Sequence, residues 1–203
     1  MLQTDRTAST RAALVSAARA LFAEHGFAAV GTERIVRAAG VSRGALYHHF
    51  TDKTELFAAV LEAVEADILR EINATISATS KDPIDGMIAG TDAWLDACAE
   101  PEVQRIVLLD APAVLGWERW REVELRHSLG LVENLLSQAM AVGRIRRRPL
   151  RPLAHIVIGA LDEAALYTAC ADDPETARRD VRVVLREVFL ALASDADGPR
   201  TTS

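Results

Sequence analysis

The sequence predicts an all-α fold of about nine helices. Three observations carry that prediction. Apolar residues recur at the 3.6-residue helical period along most of the chain. The residues between periodic stretches are those of helix ends, with Ser, Thr or Asp in front, Gly behind and Pro in first turns. No stretch alternates apolar and polar residues as a half-buried strand does. Length and composition fit. The chain has 203 residues, 50% apolar and 26% charged, enough for one large or two small domains with a sizeable core.

Leu14, Val15, Ala18, Leu21 and Phe22 form one face of a first helix. Thr7, Ser9 or Thr10 is expected to cap its start, and Gly26 to end it. A short second helix spans about Thr32 to Ala39, capped by Gly31 or Thr32 and closed by Gly40. Ser42 caps a third, reaching to Phe50. Thr51 or Asp52 caps a fourth, from about Lys53 to Ile76, whose Leu56, Phe57, Val60, Leu61, Val64 and Ile68 keep the helical period. Asp82-Pro83 opens a helix toward Ala99, and Pro101 opens another through Leu109, which Pro112 kinks or ends. A long helix runs from about Trp117 to Val142 and stops at Gly143. Arg144 to Pro152 reads as a basic loop. Two last helices follow, Leu153–Cys170 and Pro174–Ala193, and the polar tail from Ser194 is expected to fray.

Charge and cysteine content narrow the function classes. The net charge is −6, but residues 1–55 hold seven Lys or Arg against five Asp or Glu, so the excess negative charge lies beyond them. A mildly basic head on an acidic body suggests that only the head meets an acidic partner, although such a segment is often just solvated surface. Two distant cysteines, Cys98 and Cys170, exclude a disulfide framework and fit a reducing cytoplasm. No apolar run of about 20 residues is evident, so neither a membrane span nor a secretory signal is expected.

Thr32–Phe50 reads as helix, three-residue turn, helix. Ile35, Ala39, Val41 and Leu46 take its inward positions, and Gly40 gives the turn an unhindered backbone. Leu46 and Phe50 face the core, which turns Arg43, Gly44, Tyr47 and His48 outward. Arg43, in the first turn, could bond guanine bidentately in a major groove. Gly44 would let a base or phosphate approach the backbone, Tyr47 and His48 offer polar ring atoms, and Lys53 joins a positive charge to free backbone amides. A helical bundle end with chance surface polarity is the plainer reading of a bare helix-turn-helix pattern. The stretch Gly26-Phe27…Ile35…Ala38-Ala39-Gly40-Val41-Ser42-Arg43-Gly44-Ala45-Leu46-Tyr47-His48-His49-Phe50…Asp52-Lys53…Leu56 is far more specific. It closely resembles the amino-terminal domain of TetR-family transcriptional regulators, over about residues 7–60.

The resemblance implies a helix-turn-helix DNA-binding domain over 1–52 and a helical ligand-binding and dimerisation domain over 53–203, the helix of about 53 to 76 connecting them. It implies DNA contacts from Thr32, Ser42, Arg43, Gly44, Ala45, Tyr47, His48, His49 and Lys53. Many members have Ser or Thr where this chain has Gly31, which removes one phosphate contact, and Ala where it has Val36, which widens the packing of helix two on helix three. The implied partner is a double-stranded inverted-repeat operator, bound by a homodimer joined through the last two helices. Those helices carry Ile156, Ile158, Leu161, Ala164 and Ala165, then Val181, Val184, Leu185, Val188, Phe189 and Leu192, with Gly159 and Ala160 permitting close approach. The same stripes could instead face the monomer's own core. The implied mode is a one-component regulator, more commonly a repressor, released by a small-molecule effector.

Trp94, Cys98, Asp110, Trp117, Trp120 and His127 are the candidate effector contacts, pointing to a hydrophobic or aromatic molecule. Core packing is the commoner fate of such aromatic residues. No catalytic constellation, metal site or cofactor is expected. Adjacent His48 and His49 cannot chelate as an i, i+4 pair, and neither a phosphate-cradling glycine loop nor a nucleophile elbow occurs. Two other classes are weighed: a helical enzyme using His127, His155, Asp110 and Glu163, whose spacing predicts no site, and a redox sensor pairing Cys98 with Cys170. The Arg144–Arg151 loop is either a solvated connector or a second nucleic-acid contact.

Overall fold

The computed structural model describes residues 2–79 and 81–194, and among these every regular element is helical. Nine helices follow one another: α1 (Leu2–Ala29), α2 (Thr32–Ala38), α3 (Arg43–His49), α4 (Lys53–Ala78), α5 (Pro83–Ala97), α6 (101–115), α7 (Trp117–Ala141), α8 (Leu150–Cys170) and α9 (Pro174–Ser194). The expected frayed tail lies outside the described residues, apart from Ser194, which ends α9.

Most boundaries follow the local chemistry. Ser42 Oγ accepts from the Ala45 N–H at 3.1 Å, Asp52 Oδ1 from Glu55 at 2.9 Å, Asp82 Oδ1 from Ile84 at 2.8 Å and Asp173 Oδ1 from Thr176 at 3.1 Å. Each satisfies a donor that a helix start leaves without an intrahelical partner. Gly40 (φ +66°) closes α2 in a Schellman motif, with Gly40 N–H donating to Arg37 O and Val41 N–H to Val36 O.

Three expectations fail. The first helix does not start at a Thr or Ser cap near residues 7–10; it is already helical from Leu2. Pro112 does not end its helix. Residues Gln104–Asp110 widen into a π-helical turn and Ala111–Leu115 continue in α form, so the missing proline donor is absorbed just upstream, and α6 stops at Gly116 (φ +77°). The basic loop surrenders its last residues to α8, which starts at Leu150 because Pro152 sits in the first turn, where no N–H is needed. By length and composition alone α8 would be long and apolar enough to cross a membrane, but it is packed as a core helix and the expectation of no membrane span stands. Asp162 and Glu163 interrupt its run, so no unbroken apolar stretch shows in the sequence. Its Ala154, Val157, Ile158 and Ala165 are buried in a protein core.

The chain forms two compact units. The first takes the residues up to 66 together with 100–123. Leu14, Ala18, Phe22, Val30, Ile35, Leu46, Leu56 and Phe57 are fully buried in it, and Phe22, Phe27 and Phe57 meet edge-on or tilted at 5.2–5.6 Å. The second takes 67–99 and the residues from 124 onward. Ile84, Leu95, Leu136, Ile145, Ala154, Leu185 and Phe189 are among its core residues.

Candidate nucleic-acid interface and effector residues

Three short signals set α3 in place: the Gly40 turn, the Ser42 cap and the fully buried Leu46. Phe50 is buried behind it. A seven-residue helix anchored by Leu46 presents the rest of its surface outward. Ser42, Arg43, Gly44, Tyr47 and His48 are exposed; Ala45, His49 and Thr32 are half-buried. The Thr32 hydroxyl, from the start of α2, and the Arg43 guanidinium, both beside the Tyr47 phenol, favour its ionised form and hold its pKa below the ordinary tyrosine value. Arg43 lies 5.6 Å from the Tyr47 ring centroid and 3.9 Å from a carboxylate oxygen of the exposed Glu33. Thr32, Arg43 and Tyr47 therefore form one polar cluster across two helices. A Cβ placed on Gly44 would meet only Ser42 Oγ, at 3.9 Å, so the protein's own packing does not require glycine there.

His49 differs from His48. It lines a cleft of about 250 Å³ behind the recognition helix, with Arg11, Phe50 and Glu55 among the other walls. Arg11 lies 5.3 Å from the Phe50 ring centroid, and Arg119 bonds Glu55 bidentately at 2.7 and 3.0 Å. That pairing raises the Arg119 pKa.

Lys53 is engaged within the protein. Its Nζ donates to Phe27 O at 2.9 Å and Val30 O at 3.0 Å and lies 3.9 Å from the Phe27 ring centroid. Burial pushes its pKa below the ordinary lysine value. The ammonium thus ties the start of α4 to the last turn of α1 and to the residue after it, and one of its three N–H donors is left over.

The last turn of α1 is also held from α6. Gly26 (φ +76°, ψ 160°) breaks α1, and the Phe27 N–H donates to Asp110 Oδ2 at 2.8 Å. A Cβ on Gly26 would meet that same Oδ2 and Arg105 at 3.5 Å. Arg19 and Glu102 form a bidentate pair at 2.8 Å. Asp110→Ala should cost about 1 kcal/mol of stability by denaturant unfolding, because it orphans a part-buried amide, and Asp110→Asn should recover most of it. Equal stability of the Ala and Asn variants would refute the tie. Arg19, Glu55, Glu102, Arg105 and Arg119 escaped the sequence reading, since no periodicity links residues 64 or 83 apart.

The six candidate effector contacts divide between the units. Asp110, Trp117 and Trp120 lie in the first; Trp94, Cys98 and His127 lie in the second. The Trp94 indole donates to Leu161 O at 3.4 Å. Cys98 is buried and Cys170 exposed, and no disulfide joins them. His127 is half-buried. Trp117 is 67% exposed and Trp120 only 3%, with ring centroids 5.0 Å apart.

An exposed, capped recognition helix on an all-helical chain defines a class, the helix-turn-helix regulators. Comparison with known proteins narrows it. The sequence model for the tetR family of bacterial regulatory proteins matches residues 14–60, and that for the tetracyclin repressor-like C-terminal domain matches 84–192. The crystal structure of a TetR-family transcriptional regulator from Pectobacterium atrosepticum is 33% identical, with a TM-score of 0.82 over 97% of this chain and 98% of that one. The TetC protein of transposon Tn10 from Escherichia coli is 27% identical over 168 residues, 81% of this chain and 83% of its own. The transcriptional repressor AcnR of Corynebacterium efficiens is 43% identical over 56 residues, 28% of this chain and 30% of its own. The chain belongs to the TetR family: it is a transcriptional regulator with an amino-terminal helix-turn-helix DNA-binding domain and a carboxy-terminal ligand-binding domain.

Proposed function

We propose that this regulator is a cytoplasmic repressor that binds an inverted-repeat operator as a homodimer and is released by a small hydrophobic or aromatic effector. Residues 1–52 form the DNA-reading domain and 53–203 the effector and dimer domain. The observation that carries the reading is the outward face of α3, where Arg43, Gly44, Tyr47 and His48 are exposed together and nothing in the protein crowds Gly44. Arg43 reads a base edge, and Thr32, Ser42, Ala45, Tyr47, His48 and His49 position the helix against bases and phosphates. Gel shift on DNA flanking the protein's own gene tests this. Sequence-specific binding that weakens steeply with salt is expected, and no binding to duplex DNA at low ionic strength would overturn it.

Lys53 serves two ends in this reading. Two of its donors hold the last turn of α1 and the residue after it, while the third and the free amides at the start of α4 meet a phosphate. Lys53→Met should therefore lower stability by about 1–2 kcal/mol, through lost charge-assisted hydrogen bonds, and also reduce the salt slope of binding by about one. Unchanged unfolding would exclude the first role, and an unchanged slope the second.

Dimerisation through α8 and α9 is supported by the way their apolar stripes divide. Ile158, Ala165, Leu185 and Phe189 are buried in the second unit, whereas Ile156, Tyr167, Val183, Val184, Val188 and Leu190 are exposed. A Cβ on Gly159 would meet nothing within 4 Å, which leaves room for a close helix approach. Effector contacts come from Trp94, Cys98, Asp110, Trp117, Trp120 and His127. The effector acts by binding the DNA-incompetent state more tightly; a 100-fold loss of operator affinity needs about 2.7 kcal/mol of coupling.

A further inference from the structure

Trp120 stands in the first turn of α7, 3% exposed, and its indole Nε1 is buried with no hydrogen-bond partner. An indole nitrogen only donates, and a buried donor left unpaired is costly, so such a group marks a place for an acceptor. Its neighbour Trp117 is 67% exposed, rests against it at 5.0 Å with the rings tilted by 57°, and follows Gly116. No Cβ contact restrains Gly116, whose φ of +77° sets the direction in which the Trp117 turn leaves α6. Trp94 forms a useful contrast, because its indole already has a carbonyl partner.

We propose that Trp120 Nε1 is the polar anchor of an effector subsite that takes a compact aromatic ring carrying an oxygen acceptor, a phenol or a carboxylate, with Trp117 as the exposed aromatic wall that such a ring displaces or stacks on. The proposal rests on the effector reading above and deepens it: the ligand is not merely apolar but must offer an oxygen to a buried N–H. The position also suits regulation. Arg119, one residue earlier, holds Glu55 in the first turn of α4, and Asp110, on the helix leading into Gly116, holds the Phe27 amide beside the helix-turn-helix. A ligand that shifts the first turn of α7 acts on the residues that fix the DNA-reading head.

The test uses the full-length protein labelled with nitrogen-15, titrated separately with phenol, benzoate and toluene while the indole N–H resonances are followed. Phenol or benzoate should shift the Trp120 resonance downfield and bind roughly 10-fold more tightly than toluene, which carries the same ring without an acceptor. Trp120→Phe should erase that preference while leaving toluene binding alone. The subsite is refuted if all three probes leave the Trp120 resonance in place, if phenol and benzoate bind no better than toluene, or if Trp120→Phe binds acceptor rings as the parent does. Operator release is read separately by gel shift. Release of DNA by a probe that leaves Trp120 unmoved sinks the subsite and spares the effector reading. An acceptor-dependent Trp120 shift with operator binding unaltered upholds the subsite and sinks the effector reading.

Discussion

Replacing both Val184 and Val188 with glutamate should leave a folded monomer that no longer holds its operator. The two valines lie four residues apart on α9, on an exposed face turned about 100° round the helix from the buried Leu185 and Phe189. In a lone subunit both are exposed, so the glutamates stay in water, where surface changes of this kind move stability by about 0.5 kcal/mol or less. Glutamate is also at least as good a helix former as valine. In a two-fold interface each side chain is buried twice, so four carboxylates would be desolvated against an apolar face without partners. Losing the dimer removes the second half-site's contribution, which is worth about 100-fold or more in apparent affinity when two heads are tethered. Sedimentation gives the mass and gel shift gives the affinity. A double variant that remains a dimer would move the interface off this face of α9.

The parts of this molecule that the sequence discloses are those whose causes lie within a few residues of their effects. The helix-turn-helix is one. Ser42 caps the helix it precedes, Gly40 reverses the chain it sits in, and Ile35 and Leu46 are buried at the spacing their helices impose. Where two local signals compete, the reading weakens. Thr7, Ser9 and Thr10 are each acceptable caps, yet the helix runs through all three. Pro112 signals a kink or an ending and Pro152 a loop, but one is absorbed by a π-helical turn and the other fits a first turn. The apolar stripes of the last two helices were legible as stripes. Which half faces inward was not, because burial is decided by neighbours distant in sequence. For the same reason nothing announced that Asp110 would hold the Phe27 amide, that Lys53 would hold two carbonyls, or that the tryptophans would fall in separate units.

Loss of Arg43 should reduce recognition rather than stability. In the free protein its guanidinium has only exposed company, a Glu33 carboxylate at 3.9 Å and the Tyr47 ring and phenol beside it. Exposed pairs of this kind contribute little to folding. Arg43→Ala should therefore unfold much as the parent does. On the operator the effect is different, because a fork of parallel N–H donors can satisfy guanine O6 and N7 together. Removing it should cost about 1–3 kcal/mol at one base pair, roughly 5- to 150-fold in affinity. Binding to unrelated duplex should fall far less, since only one positive charge is lost. Arg43→Lys separates the two contributions: it restores the charge and hence the non-specific component, but a point charge cannot reproduce the planar fork. Affinities for the operator and for single-base variants, measured with all three proteins at one salt concentration, decide the matter. If Arg43→Ala keeps the parent's full ranking of base preferences, the specificity resides elsewhere on α3, and Arg43 serves only to hold the Tyr47 phenol against Thr32.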